Sequence, residues 1–242
     1  MSAAKHRVEL AFGYILHHQP WRDTSRIFEV LLRDHGRLSL FARGVRGPGA
    51  RLAPVLQPFR PLLISFSGRG EAANLSHAER ADDCGAVPAE RVMAAFYLNE
   101  LLLKLTTRHD PQPALFDHYH AALGELRAGA SLETALRRFE KRLLELIGYG
   151  LELASEASGA PLAADGYYQF CPAVGFTRTE AGAPGALAGA SLLALREERF
   201  EGTRALEDAR RVLQAALGDC LEGRPLATRA VARSMVRKAA RS

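Results

Sequence analysis

Residues 36–51 read GRLSLFARGVRGPGAR, and the fold turns on them. From Arg37 to Ala42 polar and apolar residues alternate, the period of two that marks a half-buried strand. The remainder, RGVRGPGA at 43–50, is a turn rich in glycine and arginine. Arg37, Arg43, Arg46 and Arg51 all fall in this stretch, with no acidic residue among them.

Four further apolar runs flank it. Val8–His17 and Ile27–Leu32 precede it, and Leu62–Phe66 and Ala73–His77 follow. QPWRDTS at 19–25 and DHGR at 34–37 supply the intervening turn signals. Five short strands within residues 1–80 predict a small closed or nearly closed barrel. The OB-fold is the commonest five-stranded solution and binds oligonucleotides across one face. An SH3-like barrel is the alternative.

The period then changes. Pro88 suits the first turn of a helix, and VMAAFYLNELLLKL at 92–105 is apolar on almost every side, as expected for a helix central to a bundle. A second helix is expected near 114–126, after the PQP break. Ser131 caps a third, whose stripe is Leu132, Leu136, Phe139, Leu143 and Ile147, and GYG at 148–150 ends it. A loop-rich segment spans about 155–200, with GAPGALAGA at 182–190 as linker. Thr203 caps a fourth helix, and a final one runs from about Leu226 to Ala240. The expected class is thus α+β: residues 1–80 an OB-fold barrel, residues 81–242 all-helical.

Composition narrows the setting. With 242 residues, 48% of them hydrophobic and 24% charged, the chain can bury a real core. Cys84, Cys171 and Cys220 are sparse, odd in number and without a CxxC pair, which predicts reduced thiols in a cytoplasm. No apolar run is long enough for a membrane span, and charges come too early for a secretory leader. Charge is unevenly placed: 12 Lys/Arg against 6 Asp/Glu in residues 1–80, 14 against 21 in 81–222, and 6 against none in 223–242. Basic ends around an acidic middle suit a polyanion, although they also serve solubility.

Guanidinium groups pair with phosphate in bidentate fashion, and the glycines of 43–50 let backbone come close. An exposed hairpin needs charge and glycine in any case. Phe41 and Phe59 are candidates for stacking against bases, with a place in the core preferred for both. At the chain's end Arg229, Arg233, Arg237 and Arg241 recur every four residues with Lys238 alongside, a ridge that meets either a polyanion or solvent. Catalytic constellations are missing from the sequence. His17 and His18 are adjacent, His118 and His120 are two apart on a helix, and no GxSxG, HExxH or P-loop occurs. No enzyme, metal or cofactor is expected.

The segments GRLSLFARGVRG and LQPFRPLLISFSGRGE (56–71) resemble the OB-fold of the RecO family. QPWRDTS, YLNELLLKL (97–105), LRRFEKRLLELIGYG (136–150) and GRPLATRAV (223–231) are similar to further family segments in the same order. The resemblance implies a DNA repair and recombination mediator that binds single- and double-stranded DNA and anneals strands coated by single-stranded DNA-binding protein (SSB). It further implies action with RecR to help load RecA in the cytoplasm, at the nucleoid. Arg43, Arg46 and Arg69, with Arg37, would meet DNA, and Arg137 and Arg138 would meet the acidic SSB tail. Many relatives carry a four-cysteine zinc module; FCPAVGF at 170–176 keeps Cys171 alone, so no zinc is expected. An RNA-binding or ribosome-associated OB protein, and an adaptor using only the helical part, are the rival classes.

Overall fold

The computed structural model describes residues 7–45, 52–68 and 72–231. Its first five strands are β1 (Arg7–Trp21), β2 (Ser25–Leu32), β3 (Gly36–Ala42), β4 (Leu62–Ser67) and β5 (Ala72–Arg80). They close a barrel in the order β1-β2-β3-β5-β4, with every pairing antiparallel except β3 with β5. This is the five-stranded OB-fold. One strand does double service: β1 runs 15 residues and pairs with both β2 and β4, bending at two register shifts. Bulges of this kind let one strand turn a barrel corner. Gly13 stands where β1 changes partner, opposite both Leu32 and Leu62. A Cβ there would fall on the Leu32 side chain and the Leu31 carbonyl oxygen, so glycine is required for closure.

The barrel core is made of Ile15, Phe28, Val30, Leu32, Leu38, Leu40, Leu62, Ile64 and Phe66, all buried. Each alternate residue of β2 and β3 enters it, as the period of two dictates.

A short 3-10 turn at Ala89–Arg91 leads into α1 (Val92–Leu105), and α2 (Pro113–Ala128) follows. These helices pack on the barrel. Asn99 donates through Nδ2 to the Leu16 carbonyl at 2.8 Å and accepts from the Tyr119 hydroxyl at 2.5 Å. Tyr14 meets Tyr119 edge-on at 5.2 Å, and Phe12 meets Phe116 in the same way at 5.2 Å. The Tyr14 hydroxyl lies 2.7 Å from His120 Nδ1, and burial pushes its pKa up to about 12. Arg33, just past the end of β2, forks onto both oxygens of Asp117 at 2.8 and 2.9 Å.

Packing therefore divides the chain elsewhere than at residue 80. One compact unit holds residues 1–128 together with the segment from Leu226 onward; the other is Gly129–Pro225. The near-continuous apolar surface of α1 called for burial on several sides, and the barrel supplies that burial. The chain's return is fixed at residues 227–231, which are helical. Glu100 accepts from the Ala227 and Thr228 amides at 2.8 and 2.9 Å and from the Thr228 hydroxyl at 2.7 Å. A carboxylate at a helix start satisfies amides that lack intrahelical partners.

The second unit contains α3 (Leu132–Leu146), β6 (Tyr167–Cys171), β7 (Gly175–Thr179), β8 (Leu187–Ala188), α4 (Gly189–Arg196) and α5 (Thr203–Cys220). The segment expected as loop thus carries a three-stranded sheet in the order β7-β6-β8 and a helix, and GAPGALAGA forms β8 and the start of α4. Strands as short as two to five residues leave almost no periodic signal. Ser131 caps α3, its hydroxyl accepting from the Thr134 amide at 3.5 Å. At α5 the cap is Gly202 instead of Thr203, which is already the first helical residue. No helix among the described residues is long and apolar enough to cross a membrane.

Candidate nucleic-acid interface

Because Phe28, Val30 and Leu32 of β2 and Leu38, Leu40 and Ala42 of β3 point inward, Ile27, Glu29, Arg37, Ser39 and Phe41 point out. This outer face has two unlike halves.

At the start of β3, charge is neutralised internally. Arg37 donates to Glu29 Oε2 at 3.0 Å, to Thr106 Oγ1 at 3.1 Å and to the Thr106 carbonyl at 2.7 Å, and its side chain is 12% exposed. Arg108 and Ser39 both donate to Glu29 Oε1. The chain after α1 runs beside β3 here, with the His109 amide on the Arg37 carbonyl at 2.8 Å. Arg37 is thus a structural cross-link and is withdrawn from the DNA-contact set, since three of its donors are already engaged by this chain.

The other half is open. Gln19, Ile27, Phe41 and Asn74 form one row across β1, β2, β3 and β5. Trp21, 45% exposed, continues that face two residues beyond Gln19. The exposed Arg43 guanidinium lies 5.6 Å from the centroid of the Phe41 ring. Phe41 is therefore half-buried on the outer surface and absent from the core cluster, contrary to the preference for core. Phe59 is 7% exposed, as preferred, and meets Phe96 edge-on at 4.8 Å.

The remaining expected contacts divide by position. Arg46, Arg51, Arg69, Arg233, Arg237 and Lys238 lie outside the described residues. Arg229 packs on α1, its guanidinium 5.5 Å from the Tyr97 ring centroid and donating to the Tyr97 hydroxyl at 3.0 Å. In the second unit Arg137 is 7% exposed and bonds Glu140 at 2.8 Å, with Glu140 at 0%. Arg137 is consequently a buried ion pair, unsuited to capturing a peptide carboxylate from solvent. Arg138 is more accessible and pairs with Glu198 at 3.2 Å. Lys141 bridges Glu145 and Glu198 at 3.1 and 3.2 Å.

Sequence reasoning missed Trp21 and Arg108. Trp21 is the last residue of β1 and falls in QPWRDTS, a segment read as a turn signal and as part of the family resemblance, although a lone tryptophan there is itself a signal. Arg108 had none, because its role depends on the chain after α1 crossing beside β3. Among the described residues no three His, Cys, Asp or Glu side chains converge as a metal would need. Burial holds the His18 ring below its ordinary pKa, with Arg26 and His17 acting in the same direction.

Two family models match the chain. "Recombination protein O N terminal" covers residues 9–83, and "Recombination protein O C terminal" covers residues 89–229. The DNA repair protein RecO of Methylococcus capsulatus is 43% identical over 235 residues, 94% of each chain. That of Chromobacterium violaceum is 40% identical over 92% of this chain and 94% of its own. That of Azoarcus is 38% identical over 97% and 99%.

Proposed function

This chain belongs to the RecO family of DNA repair and recombination proteins, and from that premise we propose that it binds single- and double-stranded DNA and anneals strands coated by SSB. In this reading it acts with RecR to help load RecA, in the cytoplasm at the nucleoid, without bond chemistry or a cofactor. The observation that carries it is the open half of the β2–β3 face. There the half-buried Phe41 ring lies against the exposed Arg43 guanidinium, and the arginine-rich sequence 43–51 follows. Cations on such a face replace counterions condensed on phosphates, which lowers the repulsion between two strands. Arg43, Arg46, Arg51 and Arg69 are the proposed phosphate contacts, with Arg229, Arg233, Arg237 and Lys238 as a second set.

The SSB tail is proposed to meet the second unit at Arg138, where its carboxylates would compete with Glu198. Holding a tail of the coating protein raises the local concentration on coated strands without any new DNA contact. The test is annealing of complementary oligonucleotides coated with SSB, with and without its tail. Acceleration that depends on the tail supports the reading; an unchanged annealing rate overturns it.

A further inference from the structure

We propose that Trp21 and Phe41 are a stacking pair for unpaired bases, so that the barrel face selects single-stranded over duplex DNA. The proposal rests on the DNA-binding reading above and adds the chemistry that distinguishes the two forms. Both rings belong to the outward set, and neither enters the barrel core. They stand on strands separated by β2 and one outward step apart along the strand direction. Strand spacing and rise place their Cα atoms roughly 12 Å apart. Stacked bases advance only roughly 3.4 Å per step. Bases inside a duplex are stacked on one another and leave no free π-face for either ring, whereas a splayed single strand can place one base on each. Between the two strands lie Ile27 and Ser25 of β2, paired with Phe41 and Trp21 respectively, a half-buried apolar and a buried polar floor for the intervening nucleotide.

Arg43 completes the device. Its guanidinium lies against the Phe41 ring, a contact worth little in water at an exposed site. A base arriving on Phe41 takes that place and leaves the guanidinium beside the adjoining phosphate. Stacking on aromatic side chains is tolerant of sequence because every base has a π-face, so no base preference is expected.

Trp21 is the chain's single tryptophan, which makes its fluorescence a direct reporter. The full-length protein is titrated with a dye-labelled oligothymidylate and, separately, with a blunt duplex, while dye anisotropy and tryptophan emission are followed together. Expected are quenching that tracks anisotropy with the single strand, and emission unchanged by the bound duplex. Trp21→Leu and Phe41→Leu should each weaken single-strand binding roughly five- to hundredfold. Duplex affinity and the salt slope should not change. Anisotropy showing single-strand binding with silent tryptophan emission, or equal quenching by duplex, overturns the stacking pair alone. Flat anisotropy with both DNAs overturns the DNA-binding reading itself.

Discussion

The Asn99 amide and the Tyr119 hydroxyl meet inside the first unit at 2.5 Å, and both residues are buried. The hydrogen bond orients Asn99 so that Nδ2 reaches the Leu16 carbonyl at 2.8 Å, joining α1, α2 and β1 in one relay. An apolar replacement at position 99 leaves a buried hydroxyl and a buried carbonyl without that partner. Asn99→Leu should therefore cost about 1–3 kcal/mol in urea unfolding. Tyr119→Phe should add less than its own single cost when combined with it, because the two share one interaction. Full additivity in the double variant would show that the relay is not coupled.

Gly13→Ala introduces a methyl group where β1 passes between two partners. Forced overpacking of this kind costs about 1–3 kcal/mol, so the denaturation midpoint should fall. An unchanged midpoint would mean that the neighbouring Leu32 side chain yields without strain.

The Glu100 carboxyl is partly desolvated, which opposes ionisation, yet bonds from Thr228 and Ala227 and the nearby Lys104 hold it below its ordinary value of 4.5. A folded-state pKa below the unfolded one contributes stability above the unfolded value and loses it as pH falls through the folded value. The stability difference between the wild type and Glu100→Gln should therefore be constant above about pH 5 and shrink at lower pH. Thermal melts of both proteins from neutral to acid conditions measure it. A difference that grew on acidification would reverse the assignment.

Charge reversal at Arg43 together with Arg46 should weaken binding to all DNA sequences alike and make the salt dependence shallower. The expected change is about one unit of log–log slope for each phosphate that the variant no longer neutralises. Affinity measured across low to moderate salt gives both quantities, and an unaltered slope would place the phosphate-binding cations elsewhere.

The adjacent arginines of α3 should behave oppositely. Arg137→Ala removes the guanidinium paired with Glu140, whose exposure is 0%, and should cost about 3–5 kcal/mol of stability. Arg138→Ala touches a partly exposed pair and should move stability by less than about 1 kcal/mol. It should instead weaken binding of an SSB-tail peptide, as read by calorimetry. Equal effects of the two substitutions on peptide affinity at matched folding would contradict the division.

The barrel strands were legible because alternation over 37–42 and short apolar runs between glycine-rich turns are local signals. The companion of α1 was not, since an all-round apolar helix states only that it must be covered; the rings of Phe12 and Tyr14, against which the helical layer packs, lie some eighty residues earlier. The β6–β8 sheet was hidden by strand length. At the site, Arg43 could be read from its glycine-rich setting, while the capture of Arg37 by Glu29 depends on which side of two paired strands each residue takes. Arg137 beside Arg138 makes the same point: a helix turns adjacent residues to different surroundings, and composition records neither.

The tether of residues 227–231 to Glu100 and Tyr97 changes how this chain can be dissected. Severing it after the last barrel strand, or after α2, yields an amino-terminal fragment without the distal strap that belongs over α1. Such a fragment would misreport the intact protein. Gly129–Pro225 is threaded as an insert, and the faithful way to remove it is excision with the flanking ends rejoined.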